Sequence, residues 1–137
     1  TGTHLYVYGN RPDILGIVHT HSPYAMIFGV LGKPIPPTMT SAALLGGEIP
    51  IGGYVPVGGE EIGAEILRKI GDSSAIIMQN HGVYTFDKTV WEATVLAAEV
   101  EELAKITHFA MLHGNPIILT HEQVTEFQHI YQTLYGQ

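Results

Sequence analysis

The chain has 137 residues, 45% of them hydrophobic, a formal net charge of -7 and no cysteine. That supplies one substantial core and one domain, and the missing cysteine excludes disulfides and thiolate metal ligands, which suits a reducing cytoplasm. The six Lys and Arg include one adjacent pair, Arg68-Lys69, and form no basic stripe, so nothing neutralises a nucleic-acid backbone; with no membrane-length apolar run and no basic-then-apolar leader, a soluble, cytoplasmic protein is expected.

Taken in order, the elements alternate helix and strand without repeats, which argues for an α/β layer fold. Thr3 to Asn10 reads as the end of a helix, broken by Arg11-Pro12-Asp13. Ile14 to Val18 is a short β-branched run of the kind that forms a buried strand, and it delivers His19-Thr20-His21 at its end. Ser22 is placed to cap a helix with Pro23 at its first position, running to Leu31 before Gly32. Lys33 to Pro37 is a rigid connector, and Met39 to Leu45 is a short apolar stretch. In the glycine-rich segment Gly46 to Gly59, Glu48-Ile49-Pro50 and Tyr54-Val55-Pro56 are expected as edge strands or loops.

Glu60 to Ile70 is an amphipathic helix ended by Gly71, and Ala75 to Met78 is a second buried strand that reaches Gln79-Asn80-His81-Gly82. Gly82 to Phe86 is expected to turn back as another strand. Asp87 is expected to cap a long helix from about Thr89 to Leu112, with Val95, Ala98, Leu103, Ile106 and Phe109 at helical spacing. Thr120 and Gln123 form a capping box for a last helix ending at Tyr135-Gly136-Gln137.

The chemistry concentrates at the strand ends. A His-x-His pair in extended chain places two imidazoles on one face, about 6.5 to 7 Å apart along it, near enough to share an ion. A third histidine at another strand end completes a facial set. Three imidazoles with an open position make a catalytic rather than a closed structural Zn²⁺ site. His19, His21 and His81 are therefore the candidate metal ligands, each following an apolar strand and preceding a turn.

The same residues carry a resemblance. Arg11-Pro12-Asp13, Gly16 to Ser22, Gly32-Lys33-Pro34-Ile35-Pro36 and Gln79-Asn80-His81-Gly82-Val83 resemble the class II aldolase, adducin and L-ribulose-5-phosphate 4-epimerase superfamily over nearly the whole chain. Thr3-His4-Leu5 and the terminal Tyr131 to Gln137 resemble the 4-epimerase branch in particular. The fold implied is a three-layer α/β/α sandwich around a mixed, largely antiparallel sheet, as one domain over residues 1–137 that lacks its N-terminal third. The resemblance gives His19, His21 and His81 the role of ligands to Zn²⁺, or to Mn²⁺ or Co²⁺. It puts a fourth, carboxylate ligand a few residues before the position of His4, just upstream of Thr1, together with much of the phosphate-binding chemistry. Tyr135 matches a tyrosine that relatives supply to a neighbouring subunit's site, which makes it the acid/base candidate of a homotetramer with intersubunit sites.

The function implied is metal-dependent retro-aldol and aldol chemistry on a phosphorylated sugar. The ion stabilises the enediolate left when a carbon-carbon bond breaks beside an alcohol. A 4-epimerase acting like that on L-ribulose 5-phosphate is the first expectation, an L-fuculose-1-phosphate aldolase-like lyase the second, and a non-enzymatic adducin-like interaction module the third. The chain departs from both enzymes between Thr38 and Gly47. Epimerases carry an aspartate there and aldolases a tyrosine near Thr40, whereas this sequence has neither.

Other polar residues have plainer readings. Glu60 and Glu61 complement a helix dipole, and Glu48 is a further acid. His108, His113, His121 and His129 lie on helices or their ends. Trp91, Phe109 and Met111 are expected to pack. A cupin-type site lacks its glutamate, which does not occur between His21 and Glu48; no HExxH string exists; and Lys33, Lys69, Lys88 and Lys105 stand in connectors or helices rather than on the buried strand a Schiff-base lysine would need.

Overall fold

A computed structural model describes residues 2–134. Five helices, α1 (Gly2–Asn10), α2 (Pro23–Leu31), α3 (Glu61–Lys69), α4 (Val90–His113) and α5 (His121–Leu134), accompany four strands, β1 (Gly16–Thr20), β2 (Ile51–Gly52), β3 (Ala75–Met78) and β4 (Gly82–Asp87). The strands form one sheet in the order β1-β4-β3-β2. β4 is antiparallel to both β1 and β3, while β2 runs parallel to β3. The sheet is thus mixed and largely antiparallel.

Alternation along the strands builds two cores, one on each face. Ala75, Ile77 and Val83 join Ala25, Phe28, Leu96, Val100 and Leu103 beneath α2 and α4. Ile17, Ile76, Met78, Tyr84 and Phe86 join Val7, Ile62 and Ile66 beneath α1 and α3. Helices therefore cover both faces, in the three layers expected.

Several elements differ in detail from the sequence reading. β1 starts two residues later than Ile14, because Ile14 N–H closes the preceding turn on Arg11 O at 3.0 Å. His19 and Thr20 consequently lie inside the strand. Of the two segments expected as edge strands or loops, Glu48-Ile49-Pro50 gives only an isolated bridge from Ile49 to Ile35 and Tyr54-Val55-Pro56 is loop, since Pro50 and Pro56 have no N–H to give a ladder; the two-residue β2 lies between them. Met39 to Leu45 contains a 3₁₀ helix, Thr40–Leu45, whose Ala42, Ala43 and Leu45 are buried.

The cap of α4 is Thr89 rather than Asp87. Thr89 has extended backbone, its hydroxyl accepts from Glu92 N at 3.1 Å and donates to the Glu92 carboxylate at 2.9 Å, whereas Asp87 ends β4. The buried stripe of α4 is also rotated from the expected one. Ala93, Leu96, Ala97, Val100, Leu103, Ala104 and Thr107 face the core, while Val95, Ala98, Ile106 and Phe109 face outward. Small alanines fit where the helix lies close on the sheet. Trp91, Phe109 and Met111 are 76%, 44% and 48% exposed, so none of them joins the core among the described residues, although Phe109 packs against the rings of Tyr24 and His108. The α5 capping box forms as expected, with Thr120 N–H on Gln123 Oε1 at 2.9 Å and Gln123 N–H on Thr120 Oγ1 at 3.2 Å. Among the described residues no helix is long and apolar enough to cross a membrane.

Candidate metal centre

The topology brings the three histidines together. β4 starts at Gly82 and runs antiparallel to β1, so the end of β1 lies beside the turn between β3 and β4, with Thr20 opposite Val83 and His19 opposite Tyr84. His19 sits within β1 and His21 one residue beyond it. His81 stands in the turn itself, where its N–H bonds Met78 O at 3.1 Å and Asn80 takes a left-handed φ of 57°. Asparagine is among the few residues that accept that conformation readily.

One ligand atom from each of His19, His21 and His81 can be chosen so that all lie within 4.8 Å of one another. His19 Nε2 and His21 Nε2 are 3.1 Å apart. Nitrogens bound to one Zn²⁺ at about 2.0–2.1 Å must lie at nearly that separation. The donor set therefore fits a divalent ion of borderline softness. His19 is already in the right tautomer: its Nδ1 is 2.9 Å from Val83 O, which can only accept, so the proton is on Nδ1 and Nε2 keeps its lone pair.

The surroundings favour neutral imidazoles. Burial holds the His19 pKa below the ordinary value, with the Val83 bond opposing and the nearby His81 and His21 charges adding to the depression. Burial and the His21 charge lower His81 in the same sense. Neutral imidazole is the form that binds a metal.

Two supporting residues escaped the sequence reading. Tyr84, the cross-strand neighbour of His19, stacks on its ring at 4.2 Å between centroids and 21° between planes. Strand alternation puts both on one face, but only the register makes them partners. Gly82 matters for space. A Cβ there would come within 2.6 Å of His19 Cε1 and 2.8 Å of His21 Cδ2, so the residue after His81 must be glycine for two of the rings to approach. His4, on α1, is half-buried near Tyr84, with ring centroids 6.2 Å apart; burial lowers its pKa and its Nδ1 is buried without a hydrogen-bond partner. A cavity of about 420 Å³ opens beside the set, lined by His19, His81, Tyr84, Thr3 and the Val57-Gly58-Gly59 loop.

The remaining candidates lie apart from this set. Tyr135 falls outside the described residues. Glu48, Glu60 and Glu61 are exposed, and Glu61 sits in the first turn of α3, where it complements the helix dipole. His113, His121 and His129 are exposed, while His108 packs beside Phe109 and Tyr24. Lys33, Lys69, Lys88 and Lys105 are all exposed. In the departure segment, Thr38 spends its hydroxyl on Thr107 at 2.7 Å.

Residues 1–108 match the family described as "Class II Aldolase and Adducin N-terminal domain". The chain belongs to that family. It is 32% identical over 134 residues to the 5-methylthioribulose-1-phosphate/5-deoxyribulose-1-phosphate aldolase of Rhodospirillum rubrum, covering 97% of this chain and 60% of that protein. Identity to the L-fuculose phosphate aldolase of Methanococcus vannielii is 33% over 108 residues, covering 79% of this chain and 59% of the relative. A solved L-fuculose 1-phosphate aldolase superposes with a TM-score of 0.91 at 27% identity, covering 95% of this chain and 61% of that one. The chain thus spans about 60% of the length of these relatives. Their names are those of aldolases, so the particular likeness to 4-epimerases finds no support among them.

Proposed function

We propose that the protein is a divalent-metal-dependent class II aldolase that cleaves a phosphorylated ketose, a lyase rather than the 4-epimerase first expected. The observation that carries this reading is the convergence of His19, His21 and His81 to within 4.8 Å beside an open cavity. The aldolase names of the relatives favour cleavage over epimerisation. A non-enzymatic adducin-like module has no need of three apposed imidazoles.

A bound Zn²⁺, or Mn²⁺ or Co²⁺ in its place, would supply Lewis acidity to draw off electrons as the substrate's carbon-carbon bond breaks. The chain's own residues prepare for that. His19 presents Nε2 because Val83 O holds its Nδ1 proton, Tyr84 fixes its ring plane, and Gly82 leaves room for His21 alongside. The cavity walled by Thr3 and the 57–59 loop is the space for substrate. Tyr135 is assigned the proton transfer to and from the substrate oxygen, acting from a neighbouring subunit of a homotetramer. In this reading the carboxylate ligand and the phosphate-binding groups lie upstream of Thr1, and the protein works in the cytoplasm.

The test sets two assays side by side on full-length protein: cleavage of ketose 1-phosphates and 4-epimerisation of pentulose 5-phosphates. Cleavage that stops with a chelator and returns with Zn²⁺, Co²⁺ or Mn²⁺ is expected. Turnover that survives complete metal removal contradicts the reading, and exclusive epimerisation restores the first expectation.

A further inference from the structure

The three histidines are not held alike. His19 is tied to Val83 O and stacked on Tyr84, and His81 is fixed in a tight turn. His21 is exposed, one residue beyond β1, and the hydrogen bond its ring makes among the described residues is to His19 itself. Its place is therefore set by the backbone on either side of it.

That backbone is fastened at two points. The Thr20 and Ser22 hydroxyls meet at 2.8 Å, bracketing His21. Ser22 occupies the N-cap of α2, where a serine ordinarily accepts an N–H from the first turn. Engaged with Thr20, it makes no such bond. The acceptor comes instead from α4: Tyr24 N–H donates to Glu101 Oε1 at 2.6 Å, across 77 positions of sequence. Pro23 has no N–H, so Glu101 meets the start of α2 where partial positive charge gathers. The other carboxylate oxygen, Oε2, is buried with no hydrogen-bond partner. Burying an unsatisfied carboxylate oxygen is costly, which a glutamate serving only to solvate a helix face would avoid.

We infer that Glu101 is a positioning residue for His21. By capping α2 from α4 it frees the Ser22 hydroxyl for Thr20, and the two contacts together aim His21 at His19 and His81. The inference takes the three histidines as one site, as the metal-binding reading does.

The test compares Glu101→Ala, Glu101→Asp and Glu101→Gln in the full-length protein, with Leu103→Ala as a packing control on the same helix. Two quantities are read: Co²⁺ affinity with its visible spectrum, and the His19–His21 ring contact by NMR in the metal-free protein. Glu101→Ala is expected to weaken Co²⁺ binding by about 10- to 100-fold, the range for losing a group that orients a ligand, to alter the spectrum and to abolish the ring contact. Glu101→Asp, one methylene short, gives the same changes in milder form and serves if the alanine variant does not fold. Glu101→Gln keeps an oxygen acceptor and retains affinity, spectrum and contact. Leu103→Ala lowers the melting temperature and leaves both readouts alone.

A ring contact that persists in both Glu101→Ala and Glu101→Asp overturns the inference, as does an equal loss in Leu103→Ala. If wild-type protein binds no Co²⁺ yet loses the ring contact on substitution, the positioning role stands and the metal reading falls.

Discussion

The two faces of the sheet do different work. The face under α1 and α3 carries His19 on Tyr84, continuing a row of Ile17, Tyr84 and Phe86. The face under α2 and α4 carries packing, with Ala75, Ile77 and Val83 against Leu96, Val100 and Leu103. One face gathers the three histidines at its edge and the other carries the packing beneath α2 and α4. A site of this kind needs little dedicated structure: a strand end, a tight turn beside it and a glycine small enough to let the rings meet.

Substitutions can test that division, beginning with the largest effect. Leu103→Ala, in the frame, should cost about 2–5 kcal/mol of folding stability, measured by urea unfolding, while folded molecules keep their metal affinity. Gly82→Ala, at the site, should do the opposite and weaken metal binding by at least about 100-fold, beyond what loss of an orienting neighbour brings, because the new methyl would press on His19 and His21. Tyr84→Leu keeps an apolar side chain but removes the ring stack; a loss of roughly tenfold or less in affinity is expected from a contact of that strength. Thr120→Ala, far from either function, should cost about 0.5–2 kcal/mol through the lost helix cap and change no binding.

Acid should also separate the regions. His19 and His81 have folded-state pKa values held below the ordinary one, chiefly by burial. The unfolded chain therefore takes up protons near pH 6.5, where the folded chain resists them. Their effect on stability is nil above that value, and stability falls as the pH drops through it toward the depressed folded values. Urea midpoints of metal-free protein at pH 7.5 and 5.5 measure this slope, and His81→Asn should flatten it.

Much of this was legible from residue order. The apolar run before Gln79 marked β3 to the residue, and Thr120 with Gln123 marked a helix start by reciprocal bonds that local spacing alone dictates. His19, His21 and His81 stood out because each ends or follows a buried run. The illegible parts are those that depend on distant partners. Glu101 reaches Tyr24 across 77 positions, and nothing near Glu101 in sequence marks it from Glu99 or Glu102. Tyr84 reads as a strand tyrosine until the register sets it against His19. The buried stripe of α4 was misjudged because alanines flank both faces of that helix, and only close packing against the sheet decides which side goes in.

X-ray absorption at the metal edge of full-length protein, loaded with one equivalent of Zn²⁺, tests the central claim most directly. Scattering from about three imidazole nitrogens near 2.0–2.1 Å, reduced in His19→Ala, His21→Ala and His81→Ala alike, is the predicted result. A spectrum without imidazole scattering, or one that the three substitutions leave unchanged, would contradict the account.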